Sequence, residues 1–281
     1  MRRIIFTLLG FSLLRVFVFA DTAEESGVFE KNGVSFTNAS FYPSGHIKDG
    51  LLSKASVIDG LEFMSATGAI PDRAGGVVRF YESGAVEEGP LAKDTTINGL
   101  VFKSGVFAWG GIAYNLGYVQ AFVAPLSSTQ FYEDGKVAVG ALAYPQDIKG
   151  LKFVDVVEFG KDGSVTGTLA EDFTPAGLLK AGEFIEIYPG GKLKTLYAPA
   201  EIDGIKFSGS YSSGKNGSDW GIGGIEFYES GKIKRGQLSV ASTISGTQFD
   251  IYDVVEFDEE GNPVHVQVLP YYFSLRLKET H

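Results

Sequence analysis

The feature that most constrains this 281-residue chain is a 23-residue pattern that occurs four times without a gap. The copies start at Phe41, Phe80, Phe131 and Phe227. Each has Phe at position 1, Gly at 5, Ile or Val at 7, Gly at 10, Leu at 12, Ile at 18, Gly at 20 and Phe at 23. Eight matched positions in four ungapped copies predict an array of repeated structural units.

Shorter copies of the pattern occupy much of the remaining chain. They start near Phe159, Ile187 and Phe257, and residues 32–36 match only the end of a unit. We therefore interpret residues 21–281 as one repeat domain that begins and ends within a unit, as capped arrays do.

Each unit contains two recognisable turn sequences. In FYESG at 80–84, alternating apolar and polar residues precede Glu-Ser-Gly, which fits a three-residue hairpin loop with Gly at a positive φ. Later in the unit, Asn98-Gly99 separates Ile97 from Leu100, and Asn-Gly between apolar residues favours a two-residue hairpin turn. A unit thus encodes about three short strands joined by two turns.

A single unit is too small to fold alone. Its few apolar anchors bury too little surface to offset the conformational entropy of ordering 23 residues. The units are therefore expected to stack and to share one core, so that FYESG recurs because every layer needs the same turn and the same core contact.

Composition supports an all-β fold. The chain has 37 Gly, 22 Phe and 13 Tyr, which suits many short strands and turns. No long segment has a convincing helical period. The predicted fold is a set of stacked antiparallel β-hairpin repeats, forming an elongated meander or solenoid-like array.

The N-terminus has the pattern of a secretory signal peptide that is cleaved after Ala20. A short basic start precedes an apolar run at 4–14, and small and polar residues follow. Arg15 interrupts the apolar stretch and argues against a membrane span. The sequence predicts an exported protein, periplasmic or at the cell surface, with no membrane span after cleavage.

Charge and cysteine content restrict the partners and chemistry. Residues 1–20 hold three Arg and no acid, so their removal changes the net charge from −10 to −13. This sign disfavours nucleic acid and anionic lipid as partners. Because the chain has no Cys, it has neither disulfides nor thiolate metal sites.

The recurring pattern of an aromatic residue, Tyr, any residue, Ser or Asp, and Gly, followed by Ile or Val, resembles the MORN-variant repeat. The resemblance covers about six units between residues 36 and 262. It implies stacked β-hairpins that serve as a scaffold or contact surface in exported bacterial proteins, with no shared catalytic residues. The spacer with Leu-Ala before the Ile-Asp/Asn-Gly turn is longer than the family's usual link.

Three insertions, at 64–77, 103–127 and 208–224, fall at the same register of the repeat. Insertions at one register emerge on one side of a stacked array, which is often its binding side. The insertions contain five aromatic residues that are candidates for binding a glycan or a protein of the cell envelope: Trp109, Tyr114, Tyr118, Tyr211 and Trp220. The alternative is that these rings cap the edge of the core.

Motifs for catalysis or cofactors are absent from the sequence. We find no nucleophile elbow, no phosphate-binding loop and no metal-binding His spacing. A row of Glu82, Glu133 and Glu229 at position 3 is interpreted as a solvated turn edge rather than a cation site. The sequence therefore predicts a non-enzymatic scaffold or binding surface without cofactor or metal.

Two other classes stay open at this stage. An outer-membrane β-barrel fits the short alternating strands, but the apolar runs of about three to seven residues are shorter than the ~9–11 that a membrane strand needs. A carbohydrate-active enzyme would need a specific carboxylate pair, and among 34 acidic residues nothing selects one.

Overall fold

The structure is a computed structural model that describes residues 25–65, 76–105, 107–108, 126–173, 179–209 and 224–267. The predicted signal peptide lies outside these residues. The described residues form 26 strands and no helix. In chain order the strands are β1 Glu25–Lys31, β2 Val34–Phe41, β3 Ile47–Leu52, β4 Ser56–Ile58, β5 Leu61–Phe63, β6 Val77–Phe80, β7 Val86–Gly89, β8 Thr95–Ile97, β9 Leu100–Phe102, β10 Phe107–Ala108, β11 Leu126–Ser127, β12 Thr129–Phe131, β13 Val137–Ala141, β14 Gln146–Ile148, β15 Leu151–Phe159, β16 Val165–Leu169, β17 Phe184–Ile187, β18 Leu193–Leu196, β19 Ala200–Ile202, β20 Ile205–Phe207, β21 Ile225–Phe227, β22 Ile233–Gln237, β23 Ser242–Ile244, β24 Thr247–Phe249, β25 Val254–Phe257 and β26 Pro263–Gln267.

One 16-stranded antiparallel sheet dominates the fold. Its strands follow each other in the order β1-β2-β3-β6-β7-β12-β13-β15-β16-β17-β18-β21-β22-β25-β26, and β14 pairs with the first part of β15. This is a hairpin meander: the strands of the main sheet occur in chain order, and each pairs with the one that follows it in the order just given. The predicted all-β array of antiparallel hairpins is confirmed.

Small two-stranded hairpins form between the hairpins of the main sheet. They are β4-β5, β8-β9, β19-β20 and β23-β24, with β14 and the start of β15 as the fifth member. After β14 the small hairpin runs directly into the main sheet, and β15 therefore continues from Leu151 to Phe159. A bulge at Asp155, with φ +61°, separates its two halves.

Both predicted turns are confirmed. Glu82, Ser83 and Gly84 form a three-residue loop, closed by hydrogen bonds from Tyr81 N to Ala85 O and from Gly84 N to Tyr81 O. Gly84 has a φ of +94°, a left-handed conformation that would be strained for a residue with a side chain. In the small hairpin, Asn98 and Gly99 both have positive φ (52° and 84°), as a type I′ turn requires.

The shared core consists of phenylalanines that lie on glycines of the next unit. The position-23 ring of one unit packs on the position-10 glycine of the following one, because only glycine leaves room for the ring. Five such pairs line the array: Phe36 on Gly50, Phe63 on Gly89, Phe102 on Gly140, Phe153 on Gly167 and Phe207 on Gly236. All five rings are almost completely buried.

Edge-to-face ring contacts extend this packing by a further unit. Phe63 contacts Phe131 at a centroid distance of 6.3 Å, and Phe102 contacts Phe159 at 6.4 Å. These two position-23 rings thus reach the first ring of the unit after next. The expected layering of matched phenylalanines is present in the described residues.

The face of the main sheet away from the small hairpins carries polar and charged pairs. Arg79 pairs with Glu88, and Lys194 pairs with Glu186. This alternation between a buried and a solvated face explains the polar residue before each position-1 ring. Within the part of the chain that the structure describes, we find no helix of the length and apolarity needed to cross a membrane.

Candidate functional site

The FYESG turns and the tips of the small hairpins lie at one edge of the array, which we call the turn edge. Strands β6 and β7 meet there at Gly84, and β8 and β9 meet there at Asn98. The insertions leave β5, β9 and β20 at the opposite ends of these strands. The two edges therefore offer separate surfaces.

A ladder of tyrosine hydroxyls connects the units along the turn edge. In five units the position-2 Tyr donates a hydrogen bond of 2.5–2.8 Å to the carbonyl oxygen of the first residue of the next unit. The ladder consists of Tyr42 to Phe80, Tyr81 to Phe131, Tyr132 to Phe159, Tyr188 to Phe227 and Tyr228 to Phe257. Burial, and then the charge of Glu158, raise the pKa of Tyr132, which keeps this hydroxyl protonated as a donor.

The ladder is interrupted at Gly160, which occupies position 2 of the unit that starts at Phe159. The side chains of Asp162 and Ser164 lie where a side chain at 160 would point, with Ser164 Oγ only 2.2 Å from the position of a Cβ. Ser164 Oγ and N both donate to Asp162 Oδ1, at 2.6 and 2.9 Å. Both bonds lower the pKa of Asp162, and the bond from Ser164 Oγ contributes more than the bond from Ser164 N.

A groove of about 750 Å³ opens beside this interruption, which we call the turn-edge groove. It lies between the tips of the β8-β9 and β14-β15 hairpins and the two main-sheet turns at 132–136 and 160–164. Seven apolar side chains form its floor: Ile97, Leu100, Phe102, Val137, Ile148, Phe159 and Val165. Five charged side chains and one amide stand around it: Glu133, Asp134, Lys136, Lys149, Lys161 and Asn98.

Four of the five charged groups around the turn-edge groove have identified partners. Lys136 Nζ donates a hydrogen bond to Asp134 Oδ2 at 2.6 Å. This bond is the largest cause of the lowered pKa of Asp134. Lys149 Nζ donates to the carbonyl oxygens of Gly163 and Pro189. Lys161 Nζ lies 5.4 Å from the centroid of the Tyr132 ring, within cation–π range.

Lys149 has an unusual backbone conformation for its residue type. It occupies the first turn position of its hairpin with φ +55°, where the other hairpins have Asp59, Asn98, Asp203 and Ser245. Asn and Asp tolerate this left-handed region better than Lys does. The two hydrogen bonds of its ammonium group tie the hairpin tip to the turns of two units.

Asp134 and Lys136 at the groove hold each other in their charged forms. Asp134 has a lowered pKa and stays ionised, which makes it a poor proton donor near neutral pH. No cluster of His, Asp or Glu that could hold a metal ion occurs among the residues with described positions. A concave apolar floor with a few charged groups is instead the usual form of a ligand-binding site.

The five aromatic residues that the sequence favours for binding are outside the described ranges. Trp109, Tyr114 and Tyr118 belong to 109–125, and Tyr211 and Trp220 belong to 210–223. Their role stays a prediction. Sequence reasoning missed the turn-edge groove, although three departures from the repeat mark it: Lys149 at position 19, Gly160 at position 2 and Lys161 at position 3.

Neither the models of known protein families nor the curated proteins match this chain.

Proposed function

We propose that this is an exported, non-enzymatic repeat protein, related in architecture to MORN-variant arrays, that binds a partner or glycan of the cell envelope. The array is the scaffold, and the turn-edge groove is its binding site. The observation that carries the proposal is a cavity of ligand size, about 750 Å³, with an apolar floor and charged groups around it. Gly160 and Lys161, where the repeat departs from its usual residues, line one side of it.

Two further observations support binding over catalysis. The groove walls belong to hairpins that are held on both sides by neighbouring units, so the site is preorganised by the stack. Four of its five charged groups are ion-paired, bound to main-chain carbonyls or lying on a ring, and Asp134 is kept ionised. Such groups orient a ligand but do not move protons.

A ligand screen against a groove-filling variant tests the proposed site. Leu100, half-buried at the β8-β9 tip, lines the groove, and Leu100→Trp places an indole in its mouth. Leu61→Trp is the matched control, because Leu61 has the same position at the preceding hairpin tip. Thermal-shift screening with muropeptides, oligosaccharides and small amphiphiles is expected to find ligands whose shift is lost only in Leu100→Trp. Equal shifts in both variants would place binding elsewhere.

Export has a separate test. When the whole chain is expressed in a Gram-negative bacterial host, the secreted or periplasmic product is expected to begin at Asp21. N-terminal sequencing gives the answer directly. A product that retains residues 1–20 and stays in the cytoplasm contradicts the proposed location but leaves the binding site untouched.

The aromatic residues of the insertions are a second proposed contact surface. Trp220 lies in a Gly-rich and polar segment, and we expect Trp220→Ala to leave the urea midpoint unchanged while it weakens partner binding. A large loss of stability would instead assign Trp220 to the core.

A further inference from the structure

We propose that the ligand of the turn-edge groove is a small amphipathic anion, a medium-chain carboxylate whose hydrocarbon tail lies on the floor and whose head group meets Lys161 and Lys149. The inference rests on the proposed binding function of the groove and names its ligand class. It follows from how the repeat changes at this one place.

The repeat replaces acidic or neutral residues with lysine where the groove lies. At position 3, Glu82, Glu133 and Glu229 give way to Lys161. At the first turn position of the small hairpin, Asp59, Asn98 and Asp203 give way to Lys149, despite the unfavourable φ of +55°. Both lysines line the groove. In a chain with a net charge of −10, two such replacements produce a local positive site.

The remaining charges leave this positive character in place. Lys136 and Asp134 neutralise each other through their 2.6 Å ion pair. Lys149 is bound to carbonyl oxygens and Lys161 to a ring face, neither of which carries a formal negative charge. Glu133 is the one other carboxylate in the lining, and it is exposed at the turn. Within the lining, these two ammonium groups therefore exceed the one remaining carboxylate, and Glu158 and Asp162 act on the Tyr132 hydroxyl from outside the lining.

The floor accounts for the apolar half of the ligand. Leu100 and Phe159, both half-buried, offer apolar surface to the groove, and the buried Phe102, Val137 and Val165 lie behind them. A cavity of about 750 Å³ lies within the ~300–1,000 Å³ range of small-molecule sites and has room for a chain of about twelve carbons. A hydrocarbon tail would lie on the apolar surface that these floor residues present.

Three probes separate charge recognition from apolar binding. Dodecanoate below its micellar concentration is titrated into the whole chain by calorimetry, with dodecyl maltoside as the neutral probe of equal chain length and acetate as the head group alone. The charge variant is Lys161→Glu. Its matched control is Lys232→Glu, since Lys232 lies in a main-sheet turn of another unit, outside the groove lining.

We expect dodecanoate to bind at least about tenfold more tightly than dodecyl maltoside, since a charge-assisted hydrogen bond contributes more than one factor of ten. Lys161→Glu removes this preference, Lys232→Glu keeps it, and Leu100→Trp abolishes binding of both chains. If both probes bind equally and Lys161→Glu changes neither, anion recognition is wrong while the groove remains a binding site. If no probe binds, or if Leu100→Trp has no effect on binding, the inference also fails.

Discussion

The ring of Phe102 lies so close to Gly140 that a Cβ on the glycine would be 2.5 Å from Phe102 Cδ1. Phe102 ends one unit and Gly140 is the position-10 residue of the next. The same pair of positions is in contact at each of five places along the array. This relationship explains why position 10 is Gly in a β-strand, where glycine is otherwise unfavourable.

Gly140→Ala is expected to destabilise the protein by about 1–3 kcal/mol, because the methyl group overpacks a buried ring. Urea unfolding gives the free energy. Gly190→Ala is the control, since a Cβ there would meet only the flexible carboxylate of Glu229, at 3.4 Å. Similar losses in the two variants would show that the effect belongs to glycine substitution in general.

Tyr81→Phe is expected to cost about 0.5–1.5 kcal/mol, because it removes the 2.8 Å bond to the carbonyl of Phe131 from the tyrosine ladder. The free energy of unfolding in urea is again the measurement. Tyr144→Phe serves as the control, since the Tyr144 side chain is largely exposed. If the hydrogen bonds of the tyrosine ladder do not stabilise the fold, the two variants will have equal free energies of unfolding.

Gly231→Val is expected to destabilise by more than about 1 kcal/mol through the backbone alone. Gly231 has a φ of +91°, and no atom lies within 4 Å of the position that its Cβ would take. Ser230→Val in the same turn controls for the added apolar surface. If Gly231→Val unfolds at the same urea concentration as wild type, the turn does not depend on a left-handed residue.

Ser164→Ala is expected to raise the pKa of Asp162 towards its ordinary value, because it removes the strongest of the bonds that lower it. A carboxyl whose folded pKa is depressed stabilises the fold above its unfolded pKa, near 3.8, and loses that contribution as pH falls through the folded value. NMR titration of the Asp162 carboxyl carbon below pH 5 measures the shift. An unchanged titration curve would show that Ser164 does not cause the lowered pKa of Asp162.

Much of the fold follows from short sequence patterns because its determinants are local. Glu82-Ser83-Gly84 and Asn98-Gly99 each specify a turn through the φ values that their residues tolerate. The apolar period places Phe63 and Phe102 in the core. Such features depend on a few neighbouring residues, and the repeat multiplies each signal.

The tyrosine ladder and the groove were not predicted, because both depend on distances between units. Nothing in the sequence states that the hydroxyl of Tyr132 reaches the carbonyl of Phe159, 27 residues away. The groove arises from the combined positions of two hairpin tips and two turns. Its trace in the sequence is the set of departures at Lys149, Gly160 and Lys161, which became meaningful only once the units had positions in space.

The claim that neighbouring units complete each other's core is tested most directly by a double-mutant cycle of Phe102→Leu and Gly140→Ala. Shortening the ring makes room for the added methyl group, so the double variant is predicted to be more stable than the sum of the two losses, by at least about 0.5 kcal/mol. Two losses that simply add, within the error of urea unfolding, would contradict the contact between units on which the array and its groove depend.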